Sequence, residues 1–502
     1  MTGRRAFLTA MLQRITALGS VLLVAGALTV GVQARAATRA DRPTLVRIGG
    51  PANRRSIPPG FLGLSFEYWA IPDYAGPNPR RVNRVFLRLV RNLTGSAPVL
   101  RIGGVTSDNT WWPTKGVPRP AGVVFGLTRR WIRTIGAVAA RLDARLILGI
   151  NFEADSPRVA AAEARALVAG VGRSRVLALE LGNEPELYGS FDWGISGAPG
   201  RPASWDFAAF DQDFAHIARA LPDLPLAGPV TGRPSWFAYT RRFLSDQPRV
   251  AVVTVHRYPL QQCFLSPSQV HYPSIPHLLA AANSRGLADS VAAAVKAAHA
   301  RHVVMRVDEM NTLSCGEAPA VTDSFASALW SLDVLFEMAR VGVDGINLHT
   351  FPGASSQLFT FTRVHRRWRG VAEPDYYGLA MFAQAAPAGA RLLKLSTRRN
   401  AGLKIWATRA PDGTTRIVVI NEGTRTRVIV LRAPAAGLGP GSLERLEAPS
   451  LDATRRVTLA GQTFGAATGL PVGRPRTATV APRAGRYVFR VPAASAVMLT
   501  LI

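Results

Sequence analysis

Eight short aliphatic or β-branched runs recur between residues 61 and 349, at 61–67, 98–102, 144–151, 176–181, 224–230, 250–256, 302–308 and 343–349. Ala- and Leu-rich amphipathic stretches separate them, among them 159–168, 207–221, 287–301 and 324–340. Near-continuous apolar strands alternating with helices belong to a parallel sheet covered on both faces. Eight such units predict an α/β fold of the closed (β/α)8 TIM-barrel type. An open doubly wound sheet is the alternative, but its Gly-rich phosphate turn after the first strand is missing.

Beyond about residue 388 the long helices stop, and short runs alternate with turn signals such as Pro411-Asp412-Gly413. This predicts an all-β domain, a sandwich. The run at 44–48 also reads as a strand. The expected organisation is an export segment at 1–36, a strand segment at 44–59 joining the β-domain, a barrel at 60–387 and a β-sandwich at 388–502. At 502 residues the chain has room for both domains.

The export reading rests on Arg4-Arg5, the uncharged stretch from Ile15 to Gln33 and the small-x-small site Ala34-Arg35-Ala36. Gly3-Arg4-Arg5-Ala6-Phe7-Leu8 is similar to a twin-arginine signal, with Gly where Ser or Thr is usual. A retained anchor is the competing reading. Cleavage places the rest of the chain outside the cytoplasm, secreted or in the periplasm or cell envelope, with no stable membrane span. It also removes four arginines and no acids, leaving +24 of the formal +28. The remaining basic charge is nearly all arginine spread along the chain, the mark of compositional bias; no nucleic-acid partner is expected. Two cysteines exclude a disulfide scaffold or a cysteine-rich metal protein. Phosphate-loop, G-x-S-x-G and H-E-x-x-H motifs are absent. No cofactor or metal is expected. Oligomeric state is not readable.

Catalytic groups of a β/α barrel occupy the C-terminal ends of its strands. Those positions hold Ser65-Phe66-Glu67-Tyr68, Arg101-Ile102-Gly103-Gly104, Asn183-Glu184-Pro185-Glu186, His256-Arg257-Tyr258, Asp308-Glu309-Met310-Asn311 and Asn347-Leu348-His349. Glu184 and Glu309 close the fourth and seventh strands, facing each other across the mouth. Paired carboxylates across a cleft suit glycoside hydrolysis, one protonated to donate to the leaving oxygen and one ionised to attack. Arg101 and Tyr258 are placed to keep Glu309 anionic. Asn183 points into the same mouth.

Leu181-Gly182-Asn183-Glu184-Pro185 resembles the acid/base motif of the retaining barrel glycosidases. Within that clan the ordered set of motifs resembles glycoside hydrolase family 79, the β-glucuronidase and heparanase family. The set is Phe61-Leu62-Gly63-Leu64-Ser65-Phe66-Glu67, Leu100-Arg101-Ile102-Gly103-Gly104 with Ser107-Asp108, Val255-His256-Arg257-Tyr258, and Glu309-Met310-Asn311 leading to Ser314-Cys315-Gly316. The likeness runs from about residue 44 to the C-terminus. One departure is Val105, where Asn is expected, and Ser107 or Asp108 is the candidate substitute. The resemblance implies a retaining exo-acting β-glucuronidase, with Glu184 as acid/base, Glu309 as nucleophile and Tyr258 hydrogen-bonded to the nucleophile. Its implied partner is a glucuronide-containing oligosaccharide or glycoconjugate. Neutral β-glycosides, or silent binding of an acidic polysaccharide, are the alternatives.

Other assignments have two readings each. Glu67 either contacts the sugar or pairs with Arg101. His256 and His349 either bind hydroxyls or are structural. Trp111 and Trp112 either stack on sugar or anchor a loop. A glucuronide carboxylate needs cationic or amide donors; the candidates are the loop with Gln357, Arg363, His365, Arg366, Arg367 and Arg369, whose other reading is a solvated basic loop, and the backbone around Ser314-Cys315-Gly316. Cys263 and Cys315 follow neighbouring barrel strands, where a disulfide would brace the loop beside Glu309.

Overall fold

The computed structural model describes residues 43–95, 97–397, 402–433 and 439–502. The export segment with its Ala34-Arg35-Ala36 site lies outside these residues.

Strand β1 (Thr44–Pro51) precedes eight parallel strands: β2 (Leu62–Glu67), β3 (Val99–Gly103), β4 (Arg145–Ile150), β5 (Val176–Leu181), β6 (Leu226–Thr231), β7 (Val250–Arg257), β8 (Val304–Met310) and β9 (Gly345–His349). They close in the order β8-β9-β2-β3-β4-β5-β6-β7, a (β/α)8 barrel. The strands are buried almost throughout, as expected of a sheet with helices outside and packed side chains inside. The outer helices start where the sequence supplies caps. Asn83 accepts from the first turn of α1 (Arg84–Thr94), Thr128 from α2 (Arg129–Leu142), Ser156 from α3 (Pro157–Val171) and Asp206 from α4 (Phe207–Ala218). Pro157 adds a fixed φ at the first position of α3. Two further helices, α5 (Phe325–Val341) and α6 (Pro374–Ala385), are buried nearly all round. Among the described residues no helix is long and apolar enough to cross a membrane.

The loop after β9 continues into an exposed hairpin, β10 (Phe359–Val364) with β11 (Arg367–Ala372). The C-terminal part forms a ten-stranded sheet from β12 (Arg391–Thr397), β13 (Leu403–Arg409), β14 (Thr415–Asn421), β15 (Arg427–Arg432), β16 (Gly441–Glu447), β17 (Thr458–Leu459), β18 (Ala478–Val480), β19 (Tyr487–Val491), β20 (Ser495–Leu501) and β1. Its order is β17-β16-β20-β14-β13-β12-β1-β15-β19, with β18 on β16. The two ends of this sheet share one apolar core, with Leu443 and Leu499 from one end and Ile429 and Phe489 from the other, so the sheet curls over on itself. β1 lies antiparallel to β12 and parallel to β15, which ties the chain before the barrel into the β-domain.

Alternation along β14 shows how the domains join. Ile417 and Val419 enter the β-domain core, while Val418 and Ile420 pack with the barrel helices. On the same barrel-facing side Trp406 stacks on Phe336 of α5, with centroids 5.3 Å apart, and its Nε1 donates to Asp333 Oδ1 at 2.9 Å. Lys404 Nζ donates to Asp333 Oδ2 at 2.7 Å.

Candidate active site

The left-handed backbone of Glu184 (φ 47°, ψ 56°) turns the chain sharply out of β5. Pro185 disfavours the right-handed helical region for the residue before it and then opens a short turn. Glu184 N–H donates to Val230 O at 3.0 Å, which fixes the turn to β6. Gly182 has φ +80°, and a Cβ there would strike the Tyr188 hydroxyl. The Gly-Asn-Glu-Pro sequence is thus a device for aiming one carboxylate into the mouth. Gly104 plays the same part after β3: its φ is +76°, and a Cβ would meet the Glu67 carboxylate.

Glu309 sits opposite on β8. The strand register slips between Val307 and Glu309 against β7, and between Val307 and Met310 against β9. This bulge lets Asp308 and Glu309, neighbours in sequence, both reach Arg101. Arg101 Nη1 donates to Glu309 Oε2 at 2.6 Å, and Tyr258 Oη donates to Glu309 Oε1 at 2.7 Å. Burial alone would raise Glu309. His349, His256, Arg101 and the Tyr258 hydroxyl outweigh it and hold the carboxyl well below the usual range. His256 Nδ1 lies 3.0 Å from Glu184 Oε1. One oxygen of each glutamate and a ring nitrogen of His256 lie within 4.8 Å of one another. Such a trio has the composition of a cation site, but both oxygens of Glu309 are already engaged by Arg101 and Tyr258.

Arg101 is fully buried and organises more than the nucleophile position. Its Nη2 donates to Asn183 Oδ1 at 2.9 Å, and its Nε lies 2.6 Å from Glu180 Oε2 and 3.1 Å from Asp308 Oδ2. Three carboxylates around one guanidinium cannot all ionise. Burial and the neighbouring Glu180 push the Asp308 carboxyl far up. Burial would raise Glu180 too, but Arg101 and the hydrogen bond from Asp308 bring it below its ordinary value. Glu180 did not stand out in the sequence and Asp308 did so only as the neighbour of Glu309, although a charged residue inside an apolar strand run was the available signal.

The remaining expected residues fall into two groups. His349 joins the site: its Nδ1 lies 2.9 Å from Ser65 Oγ and 3.8 Å from Glu309 Oε2, and its Nε2 lies 3.4 Å from Glu67 Oε1. Glu67 is not the ion-pair partner of Arg101. Its oxygens accept from Val105 N–H, Thr106 N–H and the Thr106 hydroxyl, so it clamps the loop after β3. Asp108 is turned away from the pair, because it accepts from Phe152 N–H, Glu153 N–H and the Tyr188 hydroxyl. Tyr188 in turn accepts from Asn183 N–H, so Asp108 supports the backbone that carries Glu184. Ser107 is buried against Gly149. Neither replaces the amide expected at Val105, which is exposed. Trp111 is buried in a loop core with Trp193, as an anchor. Glu186 is buried, with Oε1 accepting from Gly232 N–H at 2.6 Å; burial and Glu184 push it up to about 7.

Cys263 and Cys315 are joined, with Cα atoms 5.7 Å apart. Gln262 N–H donates to Cys315 O, and Glu317 N–H donates to Gln262 Oε1, so Gly316 belongs to a clasp between the loops after β7 and β8. In the basic hairpin, Arg363 lies over the ring of Trp368 at 5.3 Å.

Residues 405–498 match the model of the glycosyl hydrolase family 79 C-terminal beta domain. A β-glucuronidase of Neurospora crassa is 21% identical over 65% of this chain and 63% of its own length. One of Aspergillus niger is 23% identical over 64% of each. The chain therefore spans slightly less than two thirds of these relatives. In structure it is similar to a 4-O-α-L-rhamnosyl-β-D-glucuronidase of Fusarium oxysporum 12S, with a TM-score of 0.73 at 19% identity over 91% of this chain and 100% of the other. It is also similar to a family 51 arabinofuranosidase of Xanthomonas axonopodis pv. citri, with a TM-score of 0.65 at 15% identity over 91% and 100%. The family 79 match thus covers the β-domain, and the alignments with these two β-glucuronidases extend over about two thirds of the chain.

Proposed function

We propose that the chain is a retaining, exo-acting β-glucuronidase in which Glu309 attacks the anomeric carbon and Glu184 protonates the leaving oxygen. The observation that carries this reading is the asymmetry of a close carboxylate pair. One oxygen of each lies within 4.8 Å of the other, which suits the about 5–5.5 Å of a retaining pair better than the about 6.5–9.5 Å of an inverting one. Glu309 is held anionic by Arg101 and Tyr258, as a nucleophile requires. Glu184 pairs with His256 and retains partial exposure, without the guanidinium and phenol that engage Glu309. In the first step Glu309 displaces the aglycone while Glu184 donates its proton. In the second, Glu184 takes a proton from water, which attacks the glycosyl-enzyme ester and frees Glu309. Asn183, oriented by Arg101, and His349 are placed to hold sugar hydroxyls.

The glucuronide assignment is supported by the curated relatives. Hydrolysis of an aryl β-glucuronide in preference to the matching β-glucoside, β-xyloside and α-arabinofuranoside is the expected result of a substrate panel. Preference for a neutral sugar would replace the glucuronide reading, and binding of acidic polysaccharide without any turnover would replace the enzymatic one. We also propose export through residues 1–36; N-terminal sequencing of the mature protein should begin after Ala36, and an intact Met1 in the cytoplasm would refute it.

A further inference from the structure

The acid/base side of a glycosidase is where its leaving group sits, because that group's oxygen receives the proton. Here that side is Glu184 with His256, at the ends of β5 and β7. The loops after these two strands meet across the end of β6, and they meet through two phenylalanines. The rings of Phe191 and Phe264 lie 5.8 Å apart, yet the residues are 47% and 65% exposed. Single exposed apolar residues are ordinary. Two rings from separate loops, in contact at the catalytic end and left open to solvent, form an apolar surface on which another ring can pack.

Both feet of this pair are fixed. Leu187 N–H donates to Glu184 O and Phe191 N–H to Leu187 O, so Phe191 rides on the turn that carries the acid/base. The following Trp193 is buried, with its Nε1 donating to Asp108 O. Phe264 adjoins Cys263, which the disulfide ties to the loop of Glu309. Ile195, also exposed, extends the apolar surface of the first loop.

Charge gives the chemistry of the occupant. The chain has 60 lysines and arginines in 502 residues, yet residues 187–200 and 258–284 contain none. At the chain's average density these stretches would hold roughly five. Asp192 is the one Asp, Glu, Lys or Arg they contribute; Arg233, exposed after β6, lies between them. A surface that reads an acidic polymer needs guanidinium forks on its leaving-group side.

Resting on the glucuronidase reading, we propose that Phe191 and Phe264 form the leaving-group platform, and that the leaving group is a neutral ring system with an apolar face, not a further acidic sugar.

The test compares the full-length protein with its F191S/F264S double variant on 2-naphthyl β-glucuronide and on β-glucuronyl fluoride, which has the same sugar and no aglycone. Both side chains are exposed, so their replacement leaves no cavity. The kcat/KM ratio of naphthyl glucuronide to fluoride should fall about five- to tenfold in the double variant, the scale of one lost aromatic contact. An unchanged ratio overturns the proposal, as does an equal loss on both substrates. Faster cleavage by the unaltered enzyme of a disaccharide in which glucuronate is linked to a sulfated hexosamine also overturns it. If neither glucuronide is consumed, the functional reading fails separately. Equilibrium dialysis of 2-naphthol then decides: binding that the double substitution weakens supports the platform, and no binding, or binding unaffected by the substitutions, overturns it.

Discussion

Replacing Tyr258 with Phe removes one atom, the hydroxyl that donates to Glu309 Oε1 at 2.7 Å, and leaves the ring in place. A hydrogen bond to a charged group is worth about 1.5–3 kcal/mol. One pKa unit corresponds to about 1.4 kcal/mol, so the loss should raise the Glu309 pKa by about 1–2 units. The sign follows from the direction of the native shift. Glu309 is held well below the ordinary carboxylate range and must be ionised to attack, so the acid-side loss of activity comes as pH falls through its lowered pKa. Without the hydroxyl, that acid limb moves to higher pH. Near neutrality Glu309 remains ionised, because Arg101 still binds its other oxygen at 2.6 Å. The assay is kcat/KM on an aryl β-glucuronide for both enzymes, carried down from about pH 8 to the lowest pH at which each remains folded by circular dichroism. An acid limb that stays in place, or moves to lower pH, would refute the assignment of Tyr258 as the group that stabilises the nucleophile's anion.

Glu309→Ala should abolish turnover, whereas Glu184→Ala should keep the glycosylation step for substrates with good leaving groups and recover its second step with azide; azide rescue at 309 and not at 184 would reverse the roles. Replacing Cys263 and Cys315 together by Ser opens a link of sequence separation 52, and should cost about 2–4 kcal/mol, measured as a lower denaturation midpoint under non-reducing conditions. The same substitution under reducing conditions should make little difference, which checks that the bond is the cause. Trp406→Ala removes the stack on Phe336 and the hydrogen bond to Asp333, and should cost about 3–5 kcal/mol in thermal or denaturant unfolding; a change below about 1 kcal/mol would show that the barrel and sheet do not depend on this contact.

The sequence by itself determined the barrel and the identity of its two facing glutamates. Buried parallel strands are continuous apolar runs, and a run's end is where a barrel presents its chemistry, so Glu184 and Glu309 were legible from local pattern alone. Only the tertiary structure decided what surrounds them. A regular strand sends neighbours to opposite faces, and the bulge in β8 that brings both Asp308 and Glu309 to Arg101 is set by pairing with β7 and β9. Asp108 and Ser107 looked like sugar contacts because they follow a strand end. Their direction is fixed by Phe152, Glu153, Tyr188 and Gly149, from loops and strands far along the chain. The meeting of Phe191 with Phe264 likewise depends on two loops separated by a whole β/α unit. Periodicity reports which way a strand residue points. Loop residues have no such period, so their partners are chosen by long-range contacts that exist only once the barrel has closed.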